Sequence, residues 1–151
     1  MMGRAGAGLI CENNIMTLSQ ADFCALPSYL VLRVKHGAQS WGDLRPDAAQ
    51  RIGALLARAT QSIEDVTGAD RVYCLSFCEV DRNLHFHLMP RTPQLLREYQ
   101  AATGTVDRPV NGPLLFEWAR EAYPAERVTA ALAEVCAQLR ACFDTNEFSS
   151  P

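Results

Sequence analysis

Membrane-spanning length is the first thing missing from this 151-residue chain. No apolar run reaches the ~18 residues that a bilayer crossing needs, so no membrane partner is expected. No hydrophobic stretch like a signal peptide follows Met1. Residues 1–8 are small and Gly/Ala-rich, a flexible start, and a cytoplasmic protein is expected. Positive charge is not in excess either. The 14 Lys and Arg are outnumbered by 17 Asp and Glu, for a net charge of −3. That argues against nucleic acid as a partner, because phosphate backbones are bound by surplus cation. None of the six cysteines forms a C-x-x-C pair. Cys11, Cys24, Cys74, Cys78, Cys136 and Cys142 are therefore expected as reduced, mostly buried thiols and not as a disulfide framework. Internal repeats and low-complexity blocks are absent as well. At this length, and with 48% hydrophobic residues, residues 9–151 are expected to form a single domain around one core.

Histidine is scarce, three in all, and two of them stand in one short run: Asn83-Leu84-His85-Phe86-His87-Leu88-Met89-Pro90-Arg91. In a β-strand successive side chains point to opposite faces. Leu84, Phe86 and Leu88 then share a core face, while Asn83, His85, His87 and Met89 share the other. One strand face presents two imidazoles roughly 7 Å apart at their α-carbons. Imidazole is a costly choice for packing alone, and a natural one for nucleophilic or acid–base chemistry near neutral pH.

The rest of the chain supplies a scaffold for that strand. Residues 9–12 and 15–19 read as strands around the Asn13-Asn14 turn, and 29–34 as a β-branched central strand. Residues 46–66 carry Ile52, Leu55, Leu56, Ala59, Ile63 and Val66 at helical spacing. Pro46 suits the first helical position and Gly68 the stop, while Arg45 is a poor N-cap. Residues 71–77 and 84–90 read as a strand pair joined by the tight polar link 79–82. Short helices are expected over 93–102 and 113–122. A longer helix is expected over 124–143, with Val128, Ala131, Leu132, Val135, Leu139 and Cys142 on one side. Strands first and helices interspersed, without β-α-β alternation, indicate an α+β fold with an antiparallel sheet.

The run from Asn83 to Arg91 resembles the signature of the histidine-triad (HIT) family, three histidines alternating with apolar residues, with the first replaced by Asn83. The resemblance extends upstream. Leu26-Pro27-Ser28-Tyr29-Leu30-Val31-Leu32-Arg33-Val34-Lys35-His36 is similar to the family's Pro-Gly-(His/Tyr) strand and basic loop, and Ser40-Trp41-Gly42-Asp43-Leu44 with Pro46 to the entry of its long helix. It covers roughly residues 9–91. It implies a five-stranded antiparallel sheet with one long helix packed across it, here followed by a helical C-terminal extension over about 92–151. It implies a chemistry as well. His85 matches the middle histidine, which attacks the α-phosphorus of a nucleotide derivative to form a nucleotidyl-histidine that water then hydrolyses. His87 matches the third, beside the phosphate and leaving group. Asn83 is expected to position substrate and Arg91 to hold phosphate. The nucleophile's orientation is expected to rest more on the local backbone than on the missing imidazole. No metal or cofactor is required, and the family habit of edge-to-edge pairing implies a homodimer.

The chain departs from the family pattern at Asn83, at Gly37, at Tyr29 where some members have histidine, and in the short link 78–82. The function that the resemblance implies is hydrolysis of a nucleotide phosphoanhydride or phosphoramidate, such as a dinucleoside polyphosphate or an adenylylated small molecule. Two alternatives stay open. One is a nucleotidyltransferase or phosphorylase using the same histidine with another acceptor. The other is a nucleotide-binding module with weak or no catalysis. Read from residue types alone, His85 and His87 also fit a structural pair, or a metal site completed by His36 or a cysteine.

Overall fold

The computed structural model describes residues 8–106 and 109–143. Five strands, β1 (Leu9–Glu12), β2 (Met16–Gln20), β3 (Leu30–Val34), β4 (Arg71–Leu75) and β5 (His85–Arg91), form one antiparallel sheet in the order β1-β2-β3-β5-β4. Four helices accompany them: α1 (Pro46–Thr67), α2 (Pro93–Thr103), α3 (Gly112–Ala122) and α4 (Ala130–Phe143). The α+β architecture read from the sequence is the one observed. The flexible start expected for 1–8 lies outside the described residues apart from Gly8, as does the tail beyond Phe143.

Local chemistry explains the boundaries. Asn13 Oδ1 accepts from the amides of Ile15 and Met16, closing the first hairpin. Helix α1 starts at Pro46 without a side-chain cap from Arg45, and stops at Gly68, whose φ of +70° only glycine adopts freely. Thr92 and Asn111 cap α2 and α3 by accepting from the amides of Leu95 and Leu114.

The sheet buries both faces. Leu32, Phe86 and Leu88 pack against Ile52, Leu55, Ala59 and Ile63 of α1, and against Cys136, Leu139 and Phe143 of α4. On the opposite face Tyr29, Val31 and Met89 pack against Leu95 and Tyr99 of α2 and Leu115 and Ala119 of α3. The C-terminal extension therefore wraps the sheet: α2 and α3 cover part of the histidine face, and α4 returns beside α1. Among the described residues no helix is long and apolar enough to cross a membrane.

Two expectations need correction. The helix expected from Pro124 begins only at Ala130, because the preceding backbone is tied elsewhere. Cys24 and Pro124 form an isolated antiparallel bridge, and the Ala25 amide donates to the Tyr123 carbonyl. Val128 is accordingly exposed instead of on the apolar stripe. The strand expected over 71–77 ends at Leu75. Ser76 turns its hydroxyl onto the His85 carbonyl at 2.7 Å, and Cys78 takes a left-handed φ of +54°. The chain thereby leaves the sheet and Phe77 is 70% exposed.

Ser28 is a local flaw in this fold. It is fully buried, holds φ at +70°, and among the described residues its hydroxyl has no hydrogen-bond partner. A left-handed φ costs an L-residue ~1–2 kcal/mol and an unpaired buried hydroxyl ~1–3 kcal/mol, against ~0.5–1 kcal/mol for glycine's extra unfolded-state freedom. Ser28→Gly is expected to stabilise the protein by about 1 kcal/mol or more, read as a higher urea midpoint at unchanged slope. An equal or lower midpoint contradicts this account of the turn.

Candidate active site

The sheet register places the two histidines. His85 and His87 point away from the α1 core, with their ring centroids 5.2 Å apart. In the β3–β5 pairing Arg33 lies directly across from His85, and Val31 from His87. Residues directly opposite each other in an antiparallel pair share a face. Thr17 of β2 stands beside Arg33 in the next register pair. Thr17, Arg33 and His85, all half-buried, form the open end of the histidine face.

His85 is held by backbone. Its Nδ1 lies 2.7 Å from the carbonyl oxygen of Asn83. A carbonyl has no proton to give, so Nδ1 carries the hydrogen and donates it. Nε2 is then the unprotonated nitrogen, with its lone pair free, and no hydrogen bond among the described residues engages it. The link that follows β4 secures the same residue: Ser76 Oγ donates to the His85 carbonyl, and Cys78 Sγ lies 3.6 Å from Nδ1.

His87 is held by a side chain. The Tyr29 hydroxyl lies 2.7 Å from its Nδ1. Tyr29 is buried, and burial pushes its phenol pKa up, so the hydroxyl keeps its proton. Its only hydrogen-bond partner among the described residues is His87. The phenol therefore donates to Nδ1, and Nε2 of His87 carries the ring proton. Phe23 and Phe116 pack at 5.7 and 6.4 Å from the His87 ring. Desolvation by these neighbours, then the charges of His85, Arg120 and Arg33, lowers the His87 pKa from 6.5 to about 4. With both rings neutral the pair has complementary roles: one imidazole offers a lone pair and the other an N–H.

The remaining candidates lie differently. Asn83 contributes its carbonyl to His85, while its side chain turns away to donate to Asp81 Oδ1 at 3.0 Å. Arg91 sits four residues along β5 from His87, ~13 Å at the strand rise. It forms a two-pronged ion pair with Asp70, at 2.8 and 3.2 Å. The structure brings His85 and His87 together, and brings Arg91 to neither. His36 lies in a separate loop, where its Nε2 donates to the Asn14 carbonyl oxygen at 2.7 Å. Among the described residues no three His, Cys, Asp or Glu side chains gather where an ion could be held. All six cysteines are free thiols.

Tyr29, Arg33, Ser76 and Phe116 carry no assigned role in the sequence reading. Arg33 had a signal: it is the one charge in an otherwise apolar strand. Phe116 and Arg120 had another, since residues four apart share a helix face. Neither signal says which face meets the histidines.

Because folded His87 binds its proton less readily than an unfolded histidine, the unfolded state takes up the proton first as pH falls. Its contribution to stability is complete above about 6.5 and is lost as pH falls toward 4. An NMR titration of the His87 ring is expected to give a midpoint near pH 4. A midpoint at 6.5 or above contradicts the buried, neutral assignment.

No protein-family model matches the chain, and no curated protein matches it in sequence. Solved structures match it in shape. A histidine triad protein from Bradyrhizobium japonicum superposes with a TM-score of 0.60 at 17% identity, over 93% of this chain and 95% of that one. A hypothetical histidine triad nucleotide-binding protein from Sulfolobus tokodaii gives 0.61 at 12% identity, over 92% and 85%. A histidine triad protein from Marinobacter aquaeolei gives 0.60 at 15% identity, over 89% and 86%. With its five-stranded sheet order and its paired histidines on the penultimate strand of that order, the chain has the fold of the histidine-triad proteins.

Proposed function

We propose that this chain hydrolyses a nucleotide phosphoanhydride or phosphoramidate through a covalent nucleotidyl-His85. The observation that carries the reading is what each Nδ1 meets, the Asn83 carbonyl for His85 and the Tyr29 phenol for His87, from which opposite tautomers are inferred. In the first step the Nε2 lone pair of His85 forms a bond to the α-phosphorus. The bond from phosphorus to the leaving group breaks, and its electron pair departs with that group. In the second step water attacks the same phosphorus. The P–Nε2 bond breaks, its electron pair returns to His85, and the water's proton passes to solvent as the nucleoside monophosphate leaves. Splitting the displacement in this way lowers each barrier. His87 Nε2–H, a neutral donor, stabilises charge developing on the phosphoryl or leaving-group oxygen.

Arg33 replaces Arg91 as the proposed phosphate cation. It faces His85 across the strand pair, whereas Arg91 is neutralised by Asp70. Asn83 acts through its backbone carbonyl and not by contact with substrate. Nucleotide binding is proposed by analogy with the Sulfolobus tokodaii protein, which is named nucleotide-binding. The reaction as drawn routes no step through a metal or cofactor. Six free thiols fit a reducing compartment, and the cytoplasm is the proposed setting.

A homodimer is proposed on the β4 edge. β4 ends the sheet, and among the described residues no strand covers its outer side, which leaves a row of backbone groups free to pair with a second copy. Light scattering at micromolar concentration is expected to give twice the chain mass; a monomer mass rejects the pairing.

The catalytic assignment is tested by two variants measured side by side on one cleavable substrate. His85→Ala is expected to lose turnover by three orders of magnitude or more, roughly the cost of removing a covalent nucleophile, with an unchanged circular dichroism spectrum. Asn83→His is expected to change the rate by less than about tenfold, ~1.4 kcal/mol of barrier, because the carbonyl that orients His85 is retained. Near-wild-type turnover in folded His85→Ala rejects the nucleophile. A silent wild type that gains orders of magnitude from Asn83→His identifies a nucleotide-binding module instead.

A further inference from the structure

We propose that Arg120 is the specificity-determining residue for the leaving group, and that it selects substrates whose leaving group is an anionic phosphate chain. The inference rests on the hydrolase reading above and narrows it from two substrate classes to one.

Arg120 lies one turn beyond Phe116 on α3. Its guanidinium carbon stands 5.1 Å from the Phe23 ring centroid and 5.4 Å from that of Phe116. These are the two phenyl rings that also flank His87. The cation is thus held on an aromatic shelf made of the two rings that lie between it and the imidazole that would meet the leaving group. Its charge is felt at His87 and at Tyr29. The residue is exposed, and among the described residues it has no carboxylate partner. The ion pairs formed there are Lys35–Glu12, Arg45–Asp47 and Arg91–Asp70.

Arg120 also lines a groove of about 890 Å³, walled by Tyr73, Leu75 and Phe77 on the β4 side and by Phe116 on the helix side. That volume suits a nucleotide-sized group. Leu75 is the register partner of His87; the groove runs along the open β4 edge, past Val72 and Cys74, and neither histidine lines it. Glu117 and Glu121 line it as well. The groove lining thus carries more carboxylate than cation, and the phosphate chain is placed at the Arg120 guanidinium beside Phe23 and Phe116, not along the groove. A partner strand added at the β4 edge would lie in the sheet plane, ~4.8 Å beyond β4. It would run along the edge residues Val72 and Cys74, which also line the groove, while Arg120 stands on the helical wall.

The chemistry favours the same class. When His85 Nε2 bonds to the α-phosphorus of a phosphoanhydride, the bridging P–O bond breaks. The electron pair stays on the oxygen of the leaving phosphate, which departs as its anion and needs no proton. A nearby cation is what that departure requires. An amine leaving from a phosphoramidate must instead gain a proton at nitrogen, and a neutral His87 holds its ring N–H too tightly to be a strong acid.

The test compares wild type, Arg120→Gln and Arg120→Lys on diadenosine triphosphate and on an adenosine phosphoramidate with an uncharged amine. Affinity for ADP is measured alongside. Arg120→Gln is expected to lower the ratio of kcat/KM values, anhydride over phosphoramidate, by about tenfold or more, and to weaken ADP binding. Arg120→Lys is expected to recover most of the ratio. An unchanged ratio, or equal loss on both substrates without rescue by Lys, overturns the role of Arg120 while leaving the hydrolase intact. A wild type inert on both substrates overturns the hydrolase reading. In that case ADP binding weakened by Arg120→Gln still supports the anion subsite, and unchanged ADP binding overturns it too.

Discussion

A carbonyl oxygen can only accept, and from that constraint the chemistry of the site follows. The 2.7 Å contact between Asn83 O and His85 Nδ1 leaves Nε2 as the nitrogen with a lone pair. That carbonyl belongs to the backbone entering β5, so the orientation of His85 depends on the conformation of residue 83 and not on its side chain. The side chain at 83 is spent on Asp81. Replacing imidazole by carboxamide there leaves the orienting bond in place. Ser76 reinforces it from the other side by donating to the carbonyl of His85 itself.

His87 is built on the opposite logic. Its orienting partner is a phenol, which donates; its surroundings are aromatic; and its charged form is penalised first by burial and then by charges that include the two arginines Arg120 and Arg33. Two histidines on one strand face, 5.2 Å apart at their centroids, thus differ in which nitrogen carries the proton. The difference arises from what each Nδ1 meets. Arg33 lies across from His85, and Arg120 lies behind the rings around His87.

Much of this was legible in the residues. Alternation over 84–89 assigned both faces of β5 correctly, and the Asn13-Asn14 turn, Pro46 and Gly68 marked boundaries that hold. The role of the backbone at Asn83 was anticipated as well. What could not be read was long-range register. Arg91 carries the same parity as His87, but only the β4–β5 pairing shows that it meets Asp70. Arg33 stood out as the one charge of an apolar strand, but only the β3–β5 pairing sets it across from His85. The C-terminal helices show amphipathic patterns that say a face is buried without saying against what, so Phe116 and Arg120 had no address. Pro124 reads as a helix start, and a single bridge to Cys24 overrides it.

The central claim is that His85 Nε2 forms a bond to phosphorus. Quenching wild-type protein in alkaline denaturant during turnover of diadenosine triphosphate, followed by mass spectrometry of peptides kept at alkaline pH, reads that bond directly. The account predicts an adenylyl group on the peptide containing His85, acid-labile as a phosphorus–nitrogen bond should be, and absent from His85→Ala. Continued AMP release with an unmodified His85 peptide at every quench time, or the adduct found on another residue, would contradict it.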